Sequence, residues 1–295
     1  MLAFTLYKVL IAAFCVVAFV HLSGLLLLYK LKTTPRNQRI LTMNLSIAEI
    51  LFSLHLVCFY AVMLHPNNEY SSQILIVIYG LGTLLMVDIK LTMLYIIFDR
   101  FLEIYTNIKY PLYMTRKNLL IIMAIQWAIS VICAITTVVL EFLEAFNTYL
   151  VFVSHAILAL DIVILISAVT TYSYFYNTVK MIRRLEFNSS HQRNQKRKRL
   201  TEKFKIPCYI VLTYICFNLT NTIMLTTSRY VRNKTLSKIL YDLSDIPLLI
   251  GFTSDVLIYV FGNRNAKMFL VTAVFGRNKQ MSTRMTDLAI IQPSN

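Results

Sequence analysis

The sequence has few residues that interrupt helices or crosslink loops. Its 295 residues include only six glycines, six prolines and one tryptophan. All five cysteines lie inside apolar runs, where no oxidising compartment would pair them, and none has the spacing of metal ligands. A Gly-rich phosphate loop and a Ser-His-Asp order are also missing. We therefore expect neither a disulfide framework nor an enzyme.

Charge is scarce, and apolar residues are in excess. Charged residues make up 15% of the chain and hydrophobic residues 57%, which is more apolar surface than one soluble core can bury. A helix needs about 20 apolar residues to cross a bilayer. Seven segments reach that length, at residues 6–29, 40–64, 74–104, 119–140, 150–182, 204–227 and 236–261. The first is too long for a signal peptide and has no cleavage site, so we interpret it as a retained span.

The predicted fold class is an all-α membrane protein, a bundle of seven transmembrane helices with a short amphipathic helix after the seventh span. We expect one membrane domain over residues 1–275 and a cytoplasmic tail without fixed structure over residues 276–295. Lys and Arg concentrate after spans one, three, five and seven. The positive-inside rule therefore predicts a multi-pass plasma-membrane protein with its amino terminus outside and its carboxyl terminus in the cytoplasm.

The basic residues need no nucleic acid to explain them. The net charge of +15 follows mostly from the loops on one side of the membrane. The stretch QKRKR at residues 195–199 is also suited to contact anionic lipid. One loop on the other side departs from the rule, with basic residues at Arg229, Arg232, Lys234 and Lys238.

Four motifs occur in order on the predicted spans. The second span carries NLSIAE at 44–49, the third ends in Asp99-Arg100-Phe101, the fourth contains Trp127, and the seventh carries DVLIY at 255–259. Together they resemble the motifs of rhodopsin-like (class A) G-protein-coupled receptors, over essentially the whole chain from about residue 6 to residue 275. The resemblance implies a receptor that passes an extracellular signal to a heterotrimeric G protein by movement of helices five to seven.

Several positions depart from the family pattern. The first-helix Asn aligns with His21, the fifth-helix Pro with Ala168, and the sixth-helix Cys-Trp-x-Pro with CFNL at 216–219. The cysteine expected at the top of the third helix is Leu75, so the family disulfide is absent. These changes leave open a receptor-like protein that does not couple to a G protein.

An Asp-Arg pair by itself could be an interfacial anchor, because arginine can extend to the headgroups. Beside the other motifs, the resemblance implies that Asp99 holds Arg100 at rest and that activation releases the arginine. The acidic residue that often locks this arginine from helix six is replaced by a basic stretch around Arg199, which predicts raised signalling without ligand. The residues that the resemblance assigns to this switch and to G-protein contact are Asp99, Arg100, Phe101, Ile108, Tyr110, Tyr176 and Tyr259.

The predicted spans also contain a buried polar centre of four charges, Glu49, Asp88, Lys90 and Asp255. Each costs about 2.5–3.5 kcal/mol at the bilayer centre unless it is partnered or neutralised. Glu49 and Asp255 align with the family's sodium pocket, so a bound sodium, a shared proton or Lys90 as a built-in cation would relieve their repulsion. Polar contact between helices and the ion path of a transporter or channel are the alternatives. Internal repeats, which transporters usually contain, are not visible.

The positions that would contact a ligand say less about the function than the motifs above. The lysine that binds retinal in opsins is replaced by Leu249, so no cofactor is expected, and the aspartate of amine receptors is replaced by Gly82. Asp161 and Asp245 could pair with a cationic ligand or with Arg229 and Arg232, and both readings stay open. A short amino-terminal tail favours a small molecule or a short peptide. The candidate pocket residues are Gly82, Asp161, Phe217, Asp242 and Asp245.

Arrestin is a further candidate partner. Hydroxyl side chains that would recruit it when phosphorylated occur in the third inside loop and the tail, although exposed Ser and Thr are common in any protein. They are Ser189, Ser190, Thr201, Ser282, Thr283 and Thr286.

Overall fold

The computed structural model describes residues 2–30, 36–64, 71–106, 109–142, 146–185 and 191–262, and these residues form helices without a strand. The helices are α1 (Leu2–Lys30), α2 (Arg36–Met63), α3 (Ser71–Thr106), α4 (Tyr110–Tyr113), α5 (Arg116–Phe142), α6 (Phe146–Leu185), α7 (His191–Tyr230) and α8 (Lys234–Gly262). The short α4 follows α3 and lies between the third and fourth predicted spans. The other seven helices match predicted spans one to seven in order.

Within the described ranges, six helices are long and apolar enough to cross a membrane: Phe4–Tyr29, Arg36–Met63, Gln73–Thr106, Arg116–Leu140, Val153–Met181 and Phe204–Tyr230. They agree with the first six predicted spans. Helix α8 covers the seventh predicted span but is not one of these six, so the seventh span stays a prediction. The predicted amphipathic helix and the tail lie outside the described residues.

Local sequence explains where several helices begin. Thr115 Oγ1 accepts a hydrogen bond from the Asn118 backbone N–H (3.2 Å) at the start of α5, and Asn233 Oδ1 accepts one from Thr235 (3.0 Å) at the start of α8. These are N-cap contacts, which satisfy amides that have no partner inside the helix. Pro111 lies in the first turn of α4, where its missing N–H costs nothing. Pro207 and Pro247 lie inside α7 and α8, where each removes one backbone hydrogen bond.

The helices pack as a bundle with an apolar outside and a partly polar inside. Helix α1 contacts α2 and α8, α3 contacts α2, α5 and α6, and α7 contacts α6 and α8. Phe14, Leu85 and Phe252 are buried in the core, whereas Phe19 is 70% exposed on the outside. An apolar exterior suits lipid, and it leaves the interior as the only place where the buried charges can find partners.

Candidate functional site

The Asp99-Arg100 pair lies near the carboxyl end of α3 and is buried, with 1% and 2% of the two residues exposed. Arg100 donates hydrogen bonds to Asp99 and to Glu103 Oε2 on the next turn, the second at 2.6 Å. The Arg100 guanidinium also lies 5.8 Å from the centre of the Phe204 ring on α7, within the range of a cation–π contact. Arg100 is therefore held by two carboxylates of its own helix and faces an aromatic ring of another.

Tyr110 on α4 completes this cluster. Its hydroxyl donates to Asp99 Oδ1 (2.5 Å) and accepts from Asn37 Nδ2 of α2 (3.2 Å). Burial, followed by the charge of Asp99, raises the pKa of the Tyr110 phenol, so the hydroxyl keeps its proton and remains a donor. The resemblance assigned Tyr110 to the G-protein surface, but the structure directs its hydroxyl inward onto Asp99.

The structure brings a different tyrosine of α6 to Arg100. Both tyrosines line an open groove along α6, but Tyr176 is 64% exposed, whereas the hydroxyl of Tyr172, one turn earlier, is buried within electrostatic range of Arg100 and Cys208. Tyr172 lies eleven residues, about three turns, after Asp161 and so shares its inward face, which is the sequence signal that could have found it.

The remaining switch residues are placed as follows. Phe101 stacks on Tyr105 with ring centres 5.6 Å apart and lies 5.9 Å from Tyr174 of α6. Ile108 and the side chain of Tyr259 lie outside the described part of the chain. The structure therefore gives Phe101 an aromatic contact between α3 and α6 and leaves the other two assignments as predictions.

Glu49 and Asp255 come together deep in the bundle, where His21 joins them. His21 Nε2 lies 2.9 Å from the Phe252 carbonyl oxygen and Nδ1 lies 3.3 Å from Glu49 Oε2. Asp255 interacts with Glu49 and accepts a hydrogen bond from Thr213 (2.6 Å). The sequence analysis recorded His21 only as a departure from the family Asn, and its pairing with Glu49 was not foreseen.

A small cavity lies beside these carboxyl groups, with Thr42 and Ser46 in its wall. The cavity volume is about 10 Å³, which is close to the room that one water molecule needs. Glu49 Oε1 and Asp255 Oδ2 are buried and have no hydrogen-bond partner. Such carboxylate oxygens suit a small hard cation or a shared proton. However, no group of three or more His, Cys, Asp or Glu side chains arranged for a metal occurs in the described ranges.

Lys90 pairs with Asp161 rather than with the two carboxylates of this cavity. Lys90 Nζ lies 2.5 Å from Asp161 Oδ1, and both side chains are at most 1% exposed. Tyr214 of α7 donates to the same oxygen at 2.9 Å. The idea that Lys90 is a built-in cation for Glu49 and Asp255 is therefore not supported, and Asp161 has an internal partner in place of an arginine of the outside loop.

Asp88 belongs to a separate network between α2, α3 and α5. Gln126 Nε2 donates to Asp88 Oδ1 and to Thr92 Oγ1, each at 2.6 Å. Asn44 donates to Thr92 (2.8 Å) and accepts from the Trp127 indole N–H (3.1 Å). Two of the four sequence motifs thus meet in one set of hydrogen bonds.

Tyrosines surround the acidic residues at the amino-terminal end of α8. Tyr60 of α2 donates to Asp245, and Tyr7 of α1 donates to Asp242 Oδ1 at 3.4 Å. The rings of Tyr7 and Tyr60 are 5.3 Å apart. No salt bridge to either aspartate occurs among the described residues. The two carboxyl groups are therefore satisfied by phenols and not by Arg229 or Arg232.

The other two pocket candidates lie against neighbouring helices. A Cβ atom at Gly82 would be 2.7 Å from Nε2 of His55 on α2, and one at Gly251 of α8 would be 3.1 Å from Cβ of Phe217. Gly82 and Phe217 are thus positions of close helix approach in this packing.

Comparison with models of protein families identifies a match. The family model described as 7 transmembrane receptor (rhodopsin family) matches residues 22–257 of the chain. A search of curated proteins found no match. The matched range begins one residue after His21 in α1 and ends two residues after Asp255 in α8, and so includes the clusters described above except for His21 and Tyr7.

Proposed function

Because the chain belongs to the rhodopsin family of seven-transmembrane receptors, we propose that it carries an extracellular signal to a heterotrimeric G protein. The chain is a multi-pass membrane protein, and the proposed signal travels by movement of α6, α7 and α8 against α3. We further propose a plasma-membrane location, with the amino terminus outside and the carboxyl terminus in the cytoplasm, as the basic loops favour. Contact with anionic lipid, and arrestin as a second partner, belong to the same proposal.

The observation that carries the proposal is the Arg100 cluster. Arg100 is buried and is held by Asp99 and Glu103 of its own helix. Across to α7 it contacts the Phe204 ring, and a cation–π contact is weaker than a buried ion pair. Two packings that differ by a few kcal/mol are what a ligand-biased switch requires. This favours ready separation of α7 from α3 and therefore signalling without ligand.

At the end of the bundle opposite to Arg100, near the start of α8, we propose that Asp242 and Asp245 bind a positively charged small molecule or short peptide. Their partners are the hydroxyls of Tyr7 and Tyr60, which leave the negative charge of an ionised carboxylate uncompensated. The same tyrosine rings can contact a ligand cation through their faces. Neither retinal nor another cofactor forms part of the proposal, and we propose no enzymatic activity.

A transporter or channel is the second candidate, because buried charges often mark an ion path. Here the charges belong to separate groups: Glu49 with His21, Asp88 with Gln126, and Lys90 with Asp161. Charges divided among separate groups favour fixed helix contacts over a continuous path. A sodium ion at Glu49 and Asp255 is compatible with the receptor and would act there as a ligand of the resting state.

The ligand part of the proposal can be tested with a G-protein activation panel in transfected cells, first without ligand and then with cationic small molecules and short peptides. We expect Asp245→Asn to lower the response to a cationic agonist at least about tenfold, because one desolvated charge pair is worth roughly 2–5 kcal/mol. Glu69→Gln, at an acidic residue between the second and third predicted spans, is the control. A full response of Asp245→Asn at normal surface expression would contradict the assignment of the ligand.

A further inference from the structure

The ion pair of Lys90 and Asp161, together with Tyr214, connects three helices whose relative positions change in the proposed activation. Lys90 belongs to α3, Asp161 to α6, and Tyr214, which donates to Asp161, to α7. Lys90 Nζ also lies 3.4 Å from the Tyr214 hydroxyl and 3.4 Å from Thr222 Oγ1 of α7. We propose that this triad is a latch that holds α3, α6 and α7 in the resting packing and opens when α7 moves. The inference rests on the proposed function only for the direction of that movement.

The position of the triad suits a latch. Lys90 and Arg100 are ten residues apart on α3, and Phe204 and Tyr214 are ten residues apart on α7, a distance of about 15 Å along each helix. Helices α3 and α7 therefore contact each other at two levels. Arg100 and Phe204 meet near the carboxyl end of α3, and Lys90 and Tyr214 meet closer to its middle. A rigid outward displacement of α7 would break both contacts together. At the level of Lys90 and Tyr214, Asp161 adds a contact with α6.

The triad connects the helices by an ion pair and a hydrogen bond, but it leaves some hydrogen-bonding groups without partners. Asp161 Oδ1 accepts from both Lys90 and Tyr214, whereas Oδ2 is buried without a partner. On α7, Asn218 Nδ2 is likewise a buried donor without an acceptor, one turn after Tyr214. A half-satisfied buried network stabilises its packing less than a complete one. The resting arrangement therefore leaves polar groups that a second packing of α6 against α7 can satisfy.

The network of Asp88 and Gln126 supplies a matched comparison. Asp88 is two residues from Lys90 on α3 and is equally buried, but its partner Gln126 lies on α5, which is not one of the helices proposed to move. If buried polar pairs were only contacts that stabilise the bundle, both pairs would affect folding, and neither would affect the position of α7. A latch predicts that the two pairs differ.

The test measures the position of α7 without any G protein. Spin labels on Lys117→Cys in α5 and Lys205→Cys in α7, in a chain whose native cysteines are replaced, report the distance between the two helices in detergent. Lys90→Met/Asp161→Leu removes both charges, and replacing a whole buried pair with apolar residues usually preserves folding. We expect it to increase the population with the longer distance about tenfold, within the usual range of allosteric couplings.

Two further variants make the outcome decisive. Tyr214→Phe removes only one hydroxyl and so keeps the protein folded, and we expect a smaller increase in the same direction. Asp88→Leu/Gln126→Leu should leave the distance distribution unchanged. Unchanged distances in the folded Tyr214→Phe and Lys90→Met/Asp161→Leu variants would overturn the latch, and so would an equal shift in the Asp88→Leu/Gln126→Leu control. Because no G protein is present, a chain that fails to couple can still confirm or refute the latch.

Discussion

At the scale of single residues, burial determines which charges need partners. A mid-membrane charge without a partner costs about 2.5–3.5 kcal/mol, and each of the four buried charges of the polar centre lies against a polar or charged side chain. The three carboxyl groups of this centre, Glu49, Asp88 and Asp255, each retain one buried oxygen without a hydrogen-bond partner, as does Asp161 beside Lys90. These half-satisfied groups are the positions where a small change in helix packing alters the energy most.

The hydroxyl of Tyr110 provides the most specific test of the cluster around Arg100. Tyr110→Phe removes the donor to Asp99 Oδ1 and leaves Asn37 with one acceptor fewer. A hydrogen bond to a charged group contributes about 1.5–3 kcal/mol. We therefore expect signalling without ligand to rise about tenfold or more per receptor at the cell surface, as measured by nucleotide exchange on the G protein, since 1.4 kcal/mol is one factor of ten.

Tyr113→Phe is the matched control, because Tyr113 ends the same short helix but is 55% exposed. An increase of equal size in both variants would show that Tyr110 acts through general loosening of α4. No change in either would remove Tyr110 from the switch.

The sequence predicts only some of the contacts between buried polar residues. The meeting of Glu49 and Asp255 followed from the motif positions, and the structure brings them together. The Lys90–Asp161 pair joins residues 71 positions apart in the chain, and their contact depends on the rotation and depth of two helices, which hydropathy does not determine. Tyr172 and Tyr176 lie one turn apart on the same side of α6 and line one groove, so the depth of α6 in the bundle, which hydropathy does not determine either, decides which of them is nearer to Arg100.

At the scale of helices, close approach of α3 and α5 depends on a glycine. A Cβ atom at Gly80 would lie 2.5 Å from Cγ2 of Val138 and 3.4 Å from the carbonyl oxygen of Ala134 on α5. The stiff, β-branched Val138 cannot move aside easily. Gly80 therefore sets how near the two helices can pack.

We predict that Gly80→Ala destabilises the folded protein by about 1–3 kcal/mol, the usual cost of overpacking a well-packed interior. The measurement is thermal unfolding of the purified protein in detergent. Val138→Ala introduced into the same chain removes the clashing methyl groups and should restore most of the loss. Equal unfolding temperatures for Gly80→Ala and the wild type would contradict the close packing, as would a double variant that is less stable than either single variant.

Helices were the easiest feature to predict from the sequence. The first six spans follow from continuous apolar runs, which have few other stable arrangements in a bilayer. Helix α4 was missed because four residues with a proline give no periodic pattern. The seventh predicted span contains acidic residues among its apolar ones, since α8 carries Asp242, Asp245 and Asp255.

At the scale of the whole molecule, the family assignment and the described clusters support one another. The matched range 22–257 covers both the Arg100 cluster and the triad of Lys90, Asp161 and Tyr214. The family could be identified from the sequence because its motifs near Arg100 and in the bundle centre are preserved in order. Ligand chemistry could not, because it depends on side chains that meet only after folding, such as Tyr60 with Asp245.

The central claim is that the chain is a receptor that activates a G protein through Arg100. The most direct measurement is nucleotide exchange on added G protein by the purified protein in liposomes, with ion flux recorded in the same preparation. We predict exchange above that of empty liposomes without ligand, its loss in Arg100→Ala, and no flux in either protein. Ion flux without nucleotide exchange, or exchange that Arg100→Ala leaves unchanged, would contradict the claim.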